Sequence, residues 1–349
     1  MSPYLSRKIT ILSFVSIMVV LYIHVSFDPS ELPDINLYIQ KGIAGVWGRL
    51  AVPMFFCISG FLYFQKIKSI GDVYVKVKKR FRSLVIPFII AACVFVLFFY
   101  ILSLIPGAGK FQKNSFFEGF VFTIPNLLQY TFISTHGLFH GEPWAYHLWF
   151  LRDLIVIIIT TPLAYYIFKN GSLLIIATTA LLFYFITNIE IFSSFFWFYL
   201  GFPILLYLNK KSDDNNFLIL MVLWGLFLIL SVMDVFLNKF PKPYYYYADI
   251  LIALSGVVAV WLTYDKFSSF RNTSSKLPSF ISNTFFIYLY HAPSITILHK
   301  AFVSLFGANI VGYGLGYILP PPLLFLALSI LGNFLKKNWS GYNVLTGGR

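Results

Sequence analysis

Apolar residues along this chain come in long runs that short polar segments interrupt, a pattern typical of a protein that crosses a membrane several times. A helix needs about 20 mostly apolar residues to span the hydrocarbon core of a bilayer. We predict an all-α bundle of ten such helices, forming a single transmembrane domain over residues 1–349. The predicted spans are residues 9–27, 45–65, 84–105, 147–168, 172–188, 192–208, 217–237, 248–265, 281–304 and 312–335.

The composition supports a membrane protein. The 349 residues are 58% hydrophobic and 20% aromatic, and the 11% of charged residues is far below the roughly 25% of soluble domains. Cys57 and Cys93 both fall in apolar runs, so we expect two small buried hydrophobic residues and no disulfide. Small residues in the stretch FFCISGF predict that neighbouring helices approach closely there.

The net charge of +13 arises mainly on one side of the predicted bundle. With the N-terminus in the cytoplasm, 18 of the 26 Lys and Arg residues fall on the cytoplasmic side and 6 on the external side. This is the distribution that the positive-inside rule describes. We therefore predict two cytoplasmic termini and expect membrane lipids as partners, but no nucleic acid.

The segment QKIKSIGDVYVKVKKRFRSLVIP, residues 65–87, is the longest one predicted in the cytoplasm, and basic residues alternate with apolar ones in it. Two interpretations remain open. The segment either fixes the topology and contacts lipid headgroups, or it forms a cradle for a polyphosphate. Pro87 is expected to kink the third span near its start.

The external segment of residues 106–146 is long enough to be functional, either as an interfacial amphipathic helix or as a chain that re-enters the bundle. His136 and His140 have the spacing of a metal-binding pair on a helix. However, Gly137 and Gly141 disfavour a helix at this position, and we predict no metal site.

Ionisable residues inside apolar runs are costly in a membrane and usually serve a function. Such residues are His24 in VVLYIHV, His147 and Arg152 in HLWFLRDL, and His291 in FFIYLYHAPS. At 1.5 Å per residue from the start of its span, His24 lies about 22 Å into a roughly 30 Å core. Each residue alone has a structural explanation, such as an Arg152–Asp153 pair. Together with the basic inner segment, they indicate a site reached from both faces, in which a neutral imidazole acts as a general base.

Six sequence blocks carry a family resemblance, and they occur in order over nearly the whole chain. They are VVLYIH, VPMFFCISGFLYF, KKRFRSLVIPF, HLWFLRDLIVI, FYLGFPI and FFIYLYHAPS. In this order they resemble the signature blocks of acyltransferase family 3. The resemblance implies a bacterial inner-membrane enzyme that moves an acyl group, often acetyl from acetyl-CoA, to a cell-surface or lipid-linked glycan. It also makes polysaccharide-biosynthesis proteins possible partners.

The resemblance also implies residue roles. His24 matches the family's first-helix histidine, the catalytic base, and Lys79, Arg80 and Arg82 match its basic segment, which would hold the CoA phosphates. No metal is implied. The other expected site residues are Arg152 and His147 in catalysis, and Trp149, His291 and Ser59 in substrate binding.

One position departs from the family pattern. The family usually has a basic residue eleven positions before the histidine, where this chain has Ser13, and the nearest basic residues are Arg7 and Lys8. Two alternatives to an enzyme therefore remain. One is a transporter or flippase for a polysaccharide or a lipid-linked glycan, and the other is an inactive assembly subunit of a polysaccharide export system.

Overall fold

The computed structural model describes residues 1–105, 121, 123–133, 142–167, 172–210, 217–237, 245–267 and 277–348. All regular secondary structure in these ranges is helical, which confirms the predicted all-α membrane bundle. His136 and His140 lie outside the described residues, as does most of the external segment.

Fifteen α-helices follow one another along the described chain. They are α1 (Pro3–His24), α2 (Asp34–Gln40), α3 (Gly48–Phe64), α4 (Ile70–Arg80), α5 (Ile86–Ser103), α6 (Ile124–Leu128), α7 (Trp149–Ile167), α8 (Leu173–Thr187), α9 (Glu190–Lys210), α10 (Phe217–Val235), α11 (Tyr245–Lys266), α12 (Thr284–Phe306), α13 (Ile310–Ile318), α14 (Pro320–Asn338) and α15 (Tyr342–Thr346).

Helices occupy all ten predicted spans, but the described residues contain eight helical segments that are long and apolar enough to cross a membrane. The two exceptions have different physical reasons. α8 has only 15 residues, fewer than a full span requires. α12 has 23 residues, but it contains His291, His299 and Lys300 and does not reach the apolar content of the eight segments.

Two of the eight segments combine several helical elements. α2 and α3 join through the π-helical turn Lys41–Trp47, and α4 and α5 join through the π-helical turn Phe81–Val85. The second turn directly precedes Pro87, which lies in the first turn of α5. Because proline has no N–H to donate to the preceding turn, the helix cannot be regular there. A π-helical turn thus lies where the sequence predicted a kink, and the kink itself stays a prediction.

The closest helix packing joins α3 to α9. A Cβ atom on Gly60 would lie 1.8 Å from the carbonyl oxygen of Phe198, and one on Gly201 would lie 2.2 Å from that of Cys57. The two backbones thus touch where the sequence has small residues, which confirms the close approach expected for FFCISGF. Cys57 is buried in this contact, but the prediction for Cys93 was wrong, because α5 exposes it on the outside of the bundle.

A fully buried ion pair joins α1 to α11. The Lys8 ammonium donates to both carboxylate oxygens of Asp265 at 2.8 Å, and the two side chains are 0% and 1% exposed. The Tyr4 hydroxyl also donates to this carboxylate, and Lys8 Nζ lies 3.9 Å from the centre of a Trp261 ring. Charges in such a dry place persist only when they are paired and hydrogen-bonded.

A second ionic cluster joins three helices. Arg49 in the first turn of α3 pairs with Asp234 near the end of α10, and its Nη1 lies 3.3 Å from Asp249 in α11. The guanidinium also donates to the carbonyl of Gly45 through Nε, at 3.1 Å. The cluster thus ties α3 to the α10–α11 pair.

The last helix packs beside the basic segment. Gly347, which follows α15 with φ +61°, lies so close to the π-helical turn before α5 that a Cβ atom would be 2.2 Å from the carbonyl oxygen of Ser83. The described end of the chain therefore lies at the same end of the bundle as the basic segment. That this end is cytoplasmic stays a prediction from the charge distribution.

Candidate active site

The end of the external segment enters the bundle. Trp144, Ala145, His147 and Leu148 are all less than a tenth exposed, and the Trp144 N–H donates to the carbonyl of Tyr130 at 2.7 Å. Irregular backbone at membrane depth is tolerated only where protein surrounds it. Residues 143–148 therefore lie inside the bundle, and the choice between an interfacial and a re-entrant segment stays a prediction for the rest of residues 106–146.

Hydrogen bonds from α12 fix the start of α7. The Tyr288 hydroxyl donates to the carbonyl of His147 at 3.0 Å and accepts the N–H of Leu151 at 3.3 Å. The first N–H groups of a helix have no partner within the helix, so this hydroxyl serves as a cap inside the bundle. His147 Nε2 also lies 3.1 Å from the carbonyl oxygen of Leu289. His147 is therefore held to α12 at two points.

Three histidines meet beside this cap, one on α1, one on α12 and one in the turn just before α7. The ring of His291 on α12 has its centre 5.0 Å from that of His24, the last residue of α1, and 5.2 Å from that of His147. Tyr146 packs 5.3 Å from the His24 ring, between centres. The sequence predicted that these three residues belong to one site, and the fold brings their rings into one cluster.

The three imidazoles differ in their access and hydrogen bonding. His291 and His147 are 0% and 2% exposed, and His291 Nδ1 lies 2.9 Å from the carbonyl oxygen of Tyr288. His24 is only half-buried, and its ring forms no hydrogen bond with any described residue. Among these three, His24 is therefore the imidazole that a substrate can reach most directly.

The imidazoles and the basic segment lie at different levels of the bundle. The ring centre of Phe95, near the middle of α5, lies 5.2 Å from that of His147. Arg80 lies fifteen residues earlier in the same continuous helical segment, which corresponds to about 22 Å along the axis. The imidazole cluster therefore lies level with the middle of α5. α1 ends at this level, because His24 is its last residue.

Arg152, one turn into α7, is paired with its neighbour. Its Nε and Nη2 atoms lie 3.0 Å from Asp153 Oδ1, and its Nη1 donates to the carbonyl of Ile133 at 2.7 Å. Asp153 Oδ2 accepts the hydroxyl of Ser194 at 2.8 Å. The guanidinium thus neutralises a buried carboxylate, and the Arg152–Asp153 pair ties α7 to α9 and to Ile133. Its expected role in catalysis stays a prediction.

Trp149 and Ser59, the two other residues expected to contact substrate, form no hydrogen bond with the imidazoles. Trp149 begins α7 and Ser59 lies on α3, and both are half-buried. Neither side chain forms a hydrogen bond to a described residue, so their substrate roles stay predictions. The sequence reasoning missed Tyr146 and Tyr288. Tyr146 could have been found because it directly precedes His147. Tyr288 could have been found because it lies three residues before His291, on the same helix face.

The three basic residues expected to bind phosphate do not share one face. Lys79 and Arg82 are exposed, whereas Arg80 is half-buried and lines a narrow crevice between α4 and α7 with Ile155 and Ile158. None of the ion pairs in the described part of the chain involves these three residues. The exposed charges of Lys79 and Arg82 are therefore available to an anion, and Arg80 lies beside them at the edge of the crevice.

Lys76, on the preceding turn of α4, has a structural role that the sequence did not reveal. Its ammonium donates to the carbonyls of Tyr63 and Gln65, at the end of α3. The last carbonyls of a helix lack partners within the helix, and a cation is favourable there. Lys76 thus caps α3.

No basic residue of α1 replaces the cation that is missing at position 13. At 100° per residue, Ser13 lies about 20° from the direction of His24, whereas Lys8 lies about 160° away and Arg7 about 100° away. Lys8 is moreover bound to Asp265. The face of α1 that carries His24 therefore has no cation of its own.

A cavity of about 270 Å³ lies along the opposite face of α1, between α1, α3, α10 and α11. Its lining includes Leu12, Val15 and Val19. Val15 points about 180° away from His24 on the helix. This cavity is therefore separate from the imidazole cluster.

Comparison with known proteins identifies the family. The family profile described as an acyltransferase domain matches residues 8–335, nearly the whole chain. The chain belongs to acyltransferase family 3. The family resemblance of the six sequence blocks is thus confirmed, and all the candidate site residues lie within the matched region of this family 3 member.

One relative of known role resembles part of this family 3 member. Succinoglycan biosynthesis protein ExoH of Rhizobium meliloti (strain 1021) is 23% identical over 168 residues. The match covers 47% of this chain and 43% of ExoH, so it spans less than half of either protein. No solved structure matches the chain.

Proposed function

We propose that this protein transfers an acyl group, most simply acetyl from acetyl-CoA, to a hydroxyl of a cell-surface or lipid-linked glycan in a bacterial inner membrane. The observation that carries the proposal is the environment of His24, a half-buried imidazole without a described hydrogen bond beside two buried imidazoles. Family membership supports acyl transfer, and the ExoH relative, which acts in succinoglycan biosynthesis, supports a polysaccharide acceptor. Proteins of polysaccharide biosynthesis are the expected partners.

In the proposed reaction, His24 removes the proton from the acceptor hydroxyl as its oxygen attacks the thioester carbonyl. The C–O bond forms, the C–S bond of the tetrahedral intermediate breaks, and the leaving thiolate takes the proton back from His24. No oxidant or metal is needed for this balance. General base catalysis of this kind contributes about 10² to 10⁴-fold to the rate.

The donor is proposed to bind at the other end of the bundle. Arg80 and Arg82 can each donate two parallel N–H hydrogen bonds to phosphate oxygens, and Lys79 adds a positive charge. The nucleotide then stays near α4, and the pantetheine arm reaches toward His24, about 22 Å away along the helical segment. The acyl group crosses to the acceptor while CoA remains on the cytoplasmic side.

The first experiment measures transfer of radiolabelled acetyl from acetyl-CoA to extracted glycan in membrane vesicles. We expect His24→Ala to lower transfer about 10²-fold or more at unchanged protein level. Val15→Ala is the matched control, since Val15 is exposed on the opposite face of the same helix. Equal transfer by both variants would refute His24 as the base. Glycan movement without acylation by the wild type would favour a transporter.

The second experiment tests the donor site by calorimetry with acetyl-CoA in detergent. The Arg80→Ala/Arg82→Ala variant should lose binding, because its phosphate-binding cations are gone. Lys336→Ala/Lys337→Ala removes two exposed charges from the end of α14 and should bind as the wild type does. Equal weakening in both variants would show that only net charge matters, and would contradict a specific phosphate site.

A further inference from the structure

The hydrogen bonds of His291 determine which of its nitrogens carries the proton. Nδ1 lies 2.9 Å and 3.2 Å from the carbonyl oxygens of Tyr288 and Ile287. A carbonyl oxygen can only accept, so Nδ1 must be the donor, and the neutral ring then has its lone pair on Nε2. This Nε2 atom is buried and has no hydrogen-bond partner among the described residues. His291 therefore presents an unused acceptor inside the bundle.

His147 is fixed in the opposite tautomer by the same reasoning. Its Nε2 lies 3.1 Å from the carbonyl oxygen of Leu289, so Nε2 donates and Nδ1 carries the lone pair. Nδ1 is likewise buried without a partner in the described part of the chain. Neither His147 nor His291 can thus supply a proton to the other's free nitrogen without breaking a bond to a backbone carbonyl.

The remaining imidazole, His24, can supply the missing donor. Its ring centre lies 5.0 Å from that of His291, so turning the His24 ring until one of its nitrogens faces His291 Nε2 would bring the two nitrogens to roughly 3 Å. No described residue forms a hydrogen bond with the ring of His24, so one of its nitrogens is free to donate. A buried acceptor without a donor costs about 1–3 kcal/mol, which favours this contact over its absence.

We propose that His291 is a positioning residue: its Nε2 accepts the N–H of His24 and so keeps the other nitrogen of His24 unprotonated toward the acceptor hydroxyl. This inference rests on the proposed role of His24 as the base. In the Ser-His-Asp triads of hydrolases, a third group holds the catalytic imidazole in one tautomer in this way. Here the third group is an imidazole that backbone carbonyls of α12 hold in place.

The direct test is nitrogen NMR of the full-length protein in lipid bilayers, with ¹⁵N-labelled histidine. The His24 signals are assigned as those that a His24→Asn variant lacks. We expect one protonated and one bare nitrogen for His24, and a nitrogen–nitrogen coupling across the hydrogen bond to His291. This measurement needs neither the glycan substrate nor the acyl donor. A wild-type spectrum without that coupling, or with two mixed tautomers of His24, would overturn the proposal.

Variants then connect the contact to the reaction. His291→Leu removes the acceptor and should mix the tautomers of His24 and lower kcat about 10²-fold, with little change in the KM for acetyl-CoA. His291→Gln offers an amide oxygen near the position of Nε2 and should recover at least tenfold of that loss. Ser294→Leu, at an exposed position on the same helix, is the control.

The outcomes separate this inference from the proposed function. If the wild type shows the coupling but transfers no acyl group, the inference holds and the proposed function fails. If the wild type is active and the spectrum of His24 is the same in His291→Leu, the inference fails and the proposed function holds. A His291→Gln variant no more active than His291→Leu would also count against the inference.

Discussion

The buried pair of Lys8 and Asp265 allows a quantitative prediction. Lys8→Met leaves a carboxylate that is 1% exposed with the Tyr4 hydroxyl as a remaining donor, and Asp265→Leu leaves an ammonium facing the Trp261 ring. Removing one member of a buried ion pair costs about 3–5 kcal/mol. Because each remaining charge keeps one favourable contact, we expect about 3 kcal/mol for each single change.

The double variant should behave differently. Lys8→Met with Asp265→Leu leaves no buried charge, and replacing both members of such a pair by apolar residues is often nearly neutral. The Tyr4 hydroxyl loses its bond to Asp265, which costs about 1 kcal/mol. The coupling free energy in the double-mutant cycle should therefore be at least about 3 kcal/mol. This is well above the roughly 0.6 kcal/mol average for polar contacts between membrane helices.

The assay is unfolding in mixed micelles by titration with a denaturing detergent, followed by circular dichroism. Lys336→Met, an exposed lysine, is the control and should stay within about 0.5 kcal/mol of the wild type. A coupling free energy below about 1 kcal/mol would refute the reasoning. So would a Lys8→Met variant of unchanged stability that no longer binds acetyl-CoA, because Lys8 would then serve the donor and not the fold.

Three further predictions concern packing, capping and topology. Gly60→Ala should lower the free energy of unfolding by about 3 kcal/mol or more, because its Cβ would collide with the Phe198 carbonyl. Gly225→Ala should fold normally, because no atom lies within 4 Å of its Cβ position. The yield of folded protein distinguishes the two variants. Lys76→Met should lower the free energy of unfolding by about 1 kcal/mol, whereas exposed Lys79→Met should leave it unchanged but weaken acetyl-CoA binding. A reporter enzyme that works only in the cytoplasm should be active when it is fused to either terminus. Activity of a reporter that works only outside the cytoplasm would contradict the predicted topology.

Hydrophobic periodicity was sufficient to predict the membrane bundle, since span length and apolar composition are local properties of the sequence. Local patterns also indicated which residues were unusual, because a histidine or arginine in an apolar run is costly wherever it occurs. The structure groups His24, His147 and His291, which lie far apart in the sequence.

The partners of these residues could not be predicted in the same way. Lys8 pairs with Asp265 across 257 residues, and Tyr288 caps a helix 141 residues before it. A single sequence contains no signal for such long-range pairs, since they depend on helix rotation and packing. The exception is Arg152, whose pair with Asp153 is local and was one of the alternatives that the sequence allowed.

Of the two helices that do not qualify as apolar spans in the described chain, α12 is the one that organises the candidate site. α12 supplies His291, the Tyr288 cap and the Leu289 carbonyl that holds His147. It also supplies His299, whose Nδ1 lies 3.2 Å from the carbonyl oxygen of Val25, the residue after α1. The buried polar groups of α12 thus fix α1 and α7 around the imidazoles. Its polarity is tolerated in the membrane because these side chains are buried in protein and not exposed to lipid.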